Sequence, residues 1–183
     1  MSGSLAQEAG CTIPRLTRRT LTRGALAGLA ATLPMTLLMF AWHKRLPVAQ
    51  RYPLPPSLIT QRAIYGYARP GQTLAMPRPA ATLSAHFAFG AVAGMLYAIG
   101  PVALRQEYPA ALGAGYGLAV WSGSYFGWVP ALRLMPHAGR QPVARNAMMI
   151  AAHVAWGLAL ATVLAGLEGR GGPVTRSRSA IAS

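Results

Sequence analysis

Four long apolar stretches constrain this chain more than anything else in it. They cover residues 21–42, 82–104, 110–132 and 146–167, and none contains Asp, Glu or Lys. A helix that crosses the hydrocarbon core of a bilayer, roughly 30 Å thick, needs about 20 mainly apolar residues. Each stretch meets that length. Composition agrees: the 183 residues are 53% hydrophobic and 11% charged, where a soluble domain carries about 25% charged residues. Seventeen Lys and Arg stand against three acids, for a net charge of +14. So few charges in so apolar a chain exclude both a disordered basic segment and an ordinary soluble enzyme. The expected class is all-α: an integral membrane bundle of four transmembrane helices. A basic, disordered tail at 1–20 and a basic, flexible tail at 168–183 would flank it.

Basic residues bracket the stretches. Arg18, Arg19 and Arg23 lead the first, and Lys44 and Arg45 follow it. Arg78 and Arg105 flank the second, Arg133 and Arg145 the third-to-fourth connection, and Arg170 follows the fourth. Such side chains reach to the headgroups while their stems stay in the apolar phase. Trp42, Tyr108 and Trp128 lie near span ends, where amphipathic rings favour the interface. Arg18-Arg19 before an apolar run has the look of a twin-arginine export signal, but no small-x-small cleavage site follows at a sensible distance. The first helix is therefore expected to stay. Cys11 follows Glu8-Ala9-Gly10 with no apolar run before it, so a lipoprotein site is set aside, and one cysteine makes no internal disulfide. With four spans, eight basic residues share the side of the termini and nine the other. That count decides nothing, but the first helix often dominates orientation. Its leading arginines favour cytoplasmic termini.

The chain also carries an internal repeat. At an offset of 89, nine of the thirty positions 24–53 are identical to their counterparts, including Pro47-x-Ala49-x-Arg51-x-Pro53 against Pro136-x-Ala138-x-Arg140-x-Pro142. At an offset of 67, Arg78-x-Ala80 meets Arg145-x-Ala147, and Ala85-His86-x-Ala88-x-Gly90 meets Ala152-His153-x-Ala155-x-Gly157. The offsets differ because the first loop holds an insertion within about 54–76, whose 57–67 portion can form a short interfacial helix. Each repeat has two spans, so the two share one topology: a tandem 2+2 parallel hairpin repeat about an axis along the membrane normal. His86 and His153 would then lie at similar depth and face each other.

Lipid gives helices no hydrophobic reason to associate, so close backbone approach through small residues matters. Gly24 and Gly28, Gly90 and Gly94, Gly113 and Gly117, Gly123 and Gly127 are each four apart, and Gly157 with Ala161 continues the pattern. All nine glycines are assigned to packing. Pro34, Pro101 and Pro130 lack a backbone donor and are placed to kink or end their helices.

His86 and His153 are the leading site residues, because an intramembrane imidazole marks a functional position by default. Three roles stand open. Each ring can bond a neighbouring helix and pin the bundle. The pair can bind a ligand or relay protons. Or both can ligate one haem b as a b-type cytochrome does, with Gly90 and Gly157 clearing room for the porphyrin and Phe89 and Trp156 walling it. No other cofactor and no metal is expected. Arg51 and Arg140, each held extended between prolines, suit a lipid headgroup or another anion. Thr32, Thr36, Ser122 and Ser124 read as packing. Tyr116, Trp121 and Tyr125 can line a cavity. No carboxylate lies within a span, which disfavours proton-driven antiport. No catalytic motif occurs, so no residue is assigned as catalytic. The basic charge is split between the ends, which argues against a nucleic-acid partner.

Three segments carry a resemblance: Gly24-Ala-x-Ala-Gly-x-x-Ala-Thr-x-Pro-Met-Thr36, His86-Phe-Ala-Phe-Gly-Ala-Val-Ala-Gly94, and Trp121-Ser-Gly-Ser-Tyr-Phe-Gly-Trp-Val-Pro130. Together they resemble small bacterial inner-membrane proteins of unknown function, over about residues 21–167. The resemblance implies four membrane helices and carries no activity or site residue with it. The functional expectation is a non-enzymatic polytopic membrane protein. It would bind a small solute or lipid, or serve as an accessory subunit, through a cavity around His86 and His153. A bis-histidine cytochrome and a small-solute channel or carrier are the alternatives. Partners would be the bilayer, anionic headgroups, and another copy or another membrane subunit.

Overall fold

Many large apolar side chains point outward in this protein, and where its helices cross most closely the inward residues are small. A computed structural model describes residues 18–46, 51, 53–66, 75 and 77–169. Helix α1 is Arg18–Arg45, α2 Pro55–Tyr65, α3 Pro79–Ala98, α4 Val102–Glu107 and α5 Pro109–Ser122. A π-helical segment, Gly123–Trp128, joins α5 to α6, Val129–Ala131. A 3-10 turn, Ala138–Arg140, precedes α7, Val143–Gly169. Among the described residues there is no β-strand. In α1 the buried face carries Gly24, Ala27, Gly28, Ala31 and Thr32, while Leu33 and Leu37 are 54% and 58% exposed. On α3, Gly90, Ala93 and Gly94 are buried and Val92 and Leu96 stand outward. Water would not leave so much apolar surface uncovered on three long helices. Helices α1, α3 and α7 are each long and apolar enough to cross a membrane. Length, composition and the outward leucines thus point to a membrane protein.

The helix bounds differ from the expected spans in ways that have local causes. Helix α1 starts at Arg18 and ends at Arg45, so 18–20 belong to the helix. His43, Lys44 and Arg45 fill its last turn, where positive charge meets the negative end of the helix dipole. The second stretch does not run through to Leu104: α3 stops at Ala98, and Pro101 opens the separate α4. Proline disfavours a helical residue before it and supplies no donor. Pro34 leaves α1 continuous. The helix in the insertion runs over Pro55–Tyr65, with prolines in its first turn, where a missing donor costs nothing. Gly66 ends it at φ +71°, its N–H donating to Arg62 O at 2.9 Å. The remaining tail residues, 47–50 and 52 of the first loop motif, and 67–74 and 76 of the insertion lie outside the described residues.

Two tight crossings hold the helices. Helix α1 packs on α3 and on α7, and α5 packs on α7. A methyl group on Gly24 would sit 2.6 Å from the Gly94 carbonyl oxygen, and one on Gly28 would land on that of Gly90. A methyl on Gly113 would sit 2.5 Å from the Gly157 carbonyl oxygen, and one on Gly117 would land on that of His153. Ala98 and Ala161 each meet the first glycine of their crossing. The crossings therefore correspond with Gly94 opposite Gly157 and Ala98 opposite Ala161, an offset of 63. Sequence identity gives 67. The four-residue difference is about one helical turn. In packing terms the counterpart of His153 is Gly90, and His86 lies one turn nearer the loop end.

Gly123 and Gly127 depart from their assignment to packing. A methyl on either would meet nothing within 4 Å, and both face outward from the π-helical segment. Gly127 itself leaves helical geometry, at φ −103° and ψ −109°. The segment lies just before Pro130, which cannot donate to the preceding turn. A widened turn is one way a helix accommodates the break, and such turns concentrate at functional sites.

Candidate functional site

One cavity of about 410 Å³ lies among the helices and is lined by both His86 and His153. Its back wall is Thr32 and Met35 of α1 with Met149, His153 and Trp156 of α7. Ala85, His86, Phe89 and Gly90 of α3 form one side. The opposite side is the π-helical segment with its flanks, through Ser124, Tyr125, Trp128 and Val129. The widened turn thus brings a serine, a tyrosine and a tryptophan to one wall. Helix α2 forms the roof with Pro56, Ile59, Thr60 and Ala63. Arg62 of α2 donates to the carbonyl of Leu134, another lining residue, which ties the roof to the loop after α6.

The walls are almost wholly apolar, and most of their polar atoms are already matched. Thr32 Oγ1 donates to Gly28 O at 2.8 Å and accepts from Trp156 Nε1 at 3.3 Å. Thr60 Oγ1 donates to Pro56 O at 2.7 Å. Trp128 Nε1 donates to Ser124 Oγ at 3.2 Å. His153 Nδ1 lies 2.7 Å from Met149 O. A carbonyl only accepts, so Nδ1 carries the proton and Nε2 of the neutral ring keeps its lone pair. The Tyr125 ring stands edge-on to this imidazole, centroids 6.3 Å apart. His86 Nε2 is buried and has no hydrogen-bond partner, and neither does Thr82 Oγ1 one turn before it on α3. Such orphans call for an explanation, because an unmatched buried polar atom costs about 1–3 kcal/mol.

Phe89 and Trp128 close the gap between α3 and the π-helical segment, ring centroids 5.8 Å apart. Both line the cavity, yet they are 40% and 39% exposed. They separate the cavity from the outer apolar surface. Further along, Tyr116 spans from α5 to α3, donating to Ala93 O at 2.7 Å, and stacks with Trp156 at 6.0 Å.

The other predicted site residues are placed differently. Gly90 lines the cavity, and a methyl on it would meet Thr32, while one on Gly157 would meet Gly113, so both glycines serve close helix approach. Arg51 turns back on α1, its Nε and Nη2 donating to Leu46 O at 2.9 Å and Lys44 O at 2.8 Å. Arg140 is exposed at the end of the 3-10 turn. The two arginines thus have unlike surroundings. Tyr125 lines the cavity, whereas Tyr116 and Trp121 do not.

Sequence reasoning missed a second polar centre, on the side of the molecule where α3 ends. Arg105 Nη1 lies 3.0 Å from both carboxylate oxygens of Glu168, and Nη2 donates to Ala98 O at 3.2 Å. The guanidinium also stands 5.8 Å over the Tyr97 ring. One side chain thereby joins α4, the end of α3 and the end of α7. The signal available was the scarcity of acids: Glu168 is one of three in the chain.

Among the described residues no group of His, Cys, Asp and Glu could hold a metal ion. No curated protein and no solved structure matches the chain. A family of unknown function, DUF6789, matches residues 18–173, from the start of α1 to beyond the end of α7. Helices, crossings and cavity all fall within that range, and the chain belongs to family DUF6789.

Proposed function

We propose that this is a four-span bacterial inner-membrane protein that holds a small, mainly apolar molecule at bilayer depth and performs no chemistry on it. The observation that carries the proposal is the cavity: about 410 Å³, almost wholly apolar walls, and the imidazoles of both His86 and His153 among its lining residues. Ligand pockets typically measure about 300–1,000 Å³ and combine apolar walls with a few polar groups. Helix α5, the π-helical segment and α6 follow one another over 109–131 with a kink at Gly127, and this stretch exceeds the about 20 residues that a crossing needs, which supports the fourth span. The like pairing of glycines in the two crossings supports two tandem hairpins, with the one-turn shift between them. The arginines leading α1 support cytoplasmic termini.

Native mass spectrometry of the protein released from membranes tests the binding role. Wild type should retain a small neutral adduct, and Ala85→Phe, which enlarges a lining side chain, should lose it while keeping its helix content. An adduct held equally by both proteins would overturn the assignment to this cavity.

A bis-histidine haem is the second reading, favoured by one observation: His86 and His153 line the same cavity. Against it, no lining residue is Lys or Arg, so two haem carboxylates would lack a charged partner. A reduced-minus-oxidised visible spectrum of protein made with haem present decides this reading. A sharp reduced band lost in His86→Ala and in His153→Ala would establish it, and a flat spectrum would end it.

A further inference from the structure

We infer that the ligand class of this cavity is a neutral lipid alcohol, bound with its hydroxyl at the two histidines and its hydrocarbon tail leaving between Phe89 and Trp128. The inference rests on the binding role proposed above and adds the ligand's chemistry and direction.

Charge comes first. The lining residues include no Lys, Arg, Asp or Glu. A carboxylate or phosphate head would be buried there without a partner, at a cost that neutral heads do not incur. Hydrogen bonding narrows the class further. The Thr32 hydroxyl is used in both directions and the Thr60 hydroxyl donates to its own helix. What remains open is the lone pair on Nε2 of His153, fixed by the Nδ1 bond to Met149, the buried Nε2 of His86, and the hydroxyls of Tyr125 and Ser124, which line the same cavity and can each donate. The first asks for a donor. A ketone, ester or plain hydrocarbon offers none. A hydroxyl donates and accepts, so it suits His153 and also His86 in either tautomer.

Position gives the direction. His86 lies seven residues into α3 and His153 ten into α7, about 10 Å and about 15 Å along their helices. The polar end of the cavity is thus well inside the bilayer, where a hydroxyl without a partner is costly. A volume of about 410 Å³ is small for a whole lipid, so part of a long tail must lie outside. Phe89 and Trp128 are lining residues that also reach the outer apolar surface. A tail passing between them continues into the acyl chains. The ligand would arrive sideways from the bilayer and never need to cross water.

Trp128 and Trp156 on the wall make the test optical. The protein is reconstituted in phosphatidylcholine vesicles and titrated with three probes of one chain length: a terminally brominated alcohol, the corresponding acid, and the corresponding alkane. Bromine quenches nearby tryptophan, and Ala85→Phe gives the background from simple partitioning. The alcohol should quench saturably above that background, the acid should not, and the alkane should bind more weakly. His153→Phe and His86→Phe should each weaken the alcohol about three- to tenfold, the worth of one hydrogen bond. His153→Gln, which keeps an acceptor, should recover part of the loss. Saturable quenching that is equal for all three probes and indifferent to the histidines would overturn the alcohol assignment while leaving the binding role standing. No saturable quenching by any probe would remove both.

Discussion

Glycine is the residue on which the packing turns, and its positions are not interchangeable. At Gly28 and Gly117 an added methyl would meet a backbone carbonyl of the facing helix. A side chain can rotate away from such a clash; a backbone cannot, so the helices must separate. Gly115 lies on the same helix as Gly117 but has nothing within 4 Å. Gly28→Ala and Gly117→Ala should each destabilise the protein by about 1–3 kcal/mol, the usual range for overpacking. Gly115→Ala should change stability by no more than about 1 kcal/mol, in the stabilising direction, because alanine is the better helix former. Thermal unfolding in one detergent, followed by far-ultraviolet circular dichroism, makes the comparison. Equal losses at all three positions would mean that the crossings are not where these contacts put them. The sequence exposed the spacing of these glycines but not their direction. Gly123-x-x-x-Gly127 repeats the spacing of Gly113-x-x-x-Gly117, yet it faces outward, because the π-helical segment turns that part of the helix relative to α5.

Between elements, the Arg105–Glu168 pair has an asymmetry that can be measured. The Arg105 side chain is 5% exposed and that of Glu168 26%. Removing the arginine leaves a carboxylate that can turn to solvent or headgroups. Removing the glutamate leaves a buried cation with Ala98 O as its hydrogen-bond acceptor, and stranding a buried charge costs about 3–5 kcal/mol when it is wholly enclosed. Glu168→Ala should therefore destabilise more than Arg105→Ala, by about 1–2 kcal/mol once partial exposure is allowed for. Urea or detergent denaturation of the two variants, with the double variant closing the cycle, reads the difference. The reverse order would show that the arginine acts mainly through the ends of α3 and α4. How far such ties were legible differs by element. Apolar length and missing acids marked α1, α3 and α7, because those are local properties. Pro101 marked the end of α3 for the same reason. The register of the second crossing was not legible. Gly90-x-x-x-Gly94-x-x-x-Ala98 shifted by one turn still presents small residues, so identity and packing can prefer different alignments. The site was half legible: two histidines were visible as intramembrane polar residues, but the α2 roof and the serine, tyrosine and tryptophan of the widened turn come together only in three dimensions.

For the whole molecule, the number of crossings fixes which loops share a side, and the segment in question is 109–131. Helix α5 runs beside α7 from the Gly113–Ala161 contact to the Tyr125–His153 contact. On the proposed four-span reading, a segment that accompanies a helix long and apolar enough to cross a membrane through that depth would itself cross most of the bilayer. Its outward face carries Leu118, Phe126 and Leu132, suited to acyl chains, and its backbone donors are largely satisfied within helix, as lipid requires. Single cysteines in a Cys11→Ser background make this testable in intact cells. Glu107→Cys lies just before α5, Gly139→Cys in the 3-10 turn between α6 and α7, and Ile64→Cys on the outer face of α2. With four crossings, a membrane-impermeant thiol reagent should label Gly139→Cys and Ile64→Cys together and spare Glu107→Cys until the membrane is opened. Labelling of Glu107→Cys and Gly139→Cys from one side would mean that 109–131 dips into the bilayer and returns. The first outcome also fixes the termini as cytoplasmic, since Glu107 shares their side when the crossings number four. It would set the cavity roof, α2, on the periplasmic face, so that a ligand entering between Phe89 and Trp128 would come from the outer leaflet.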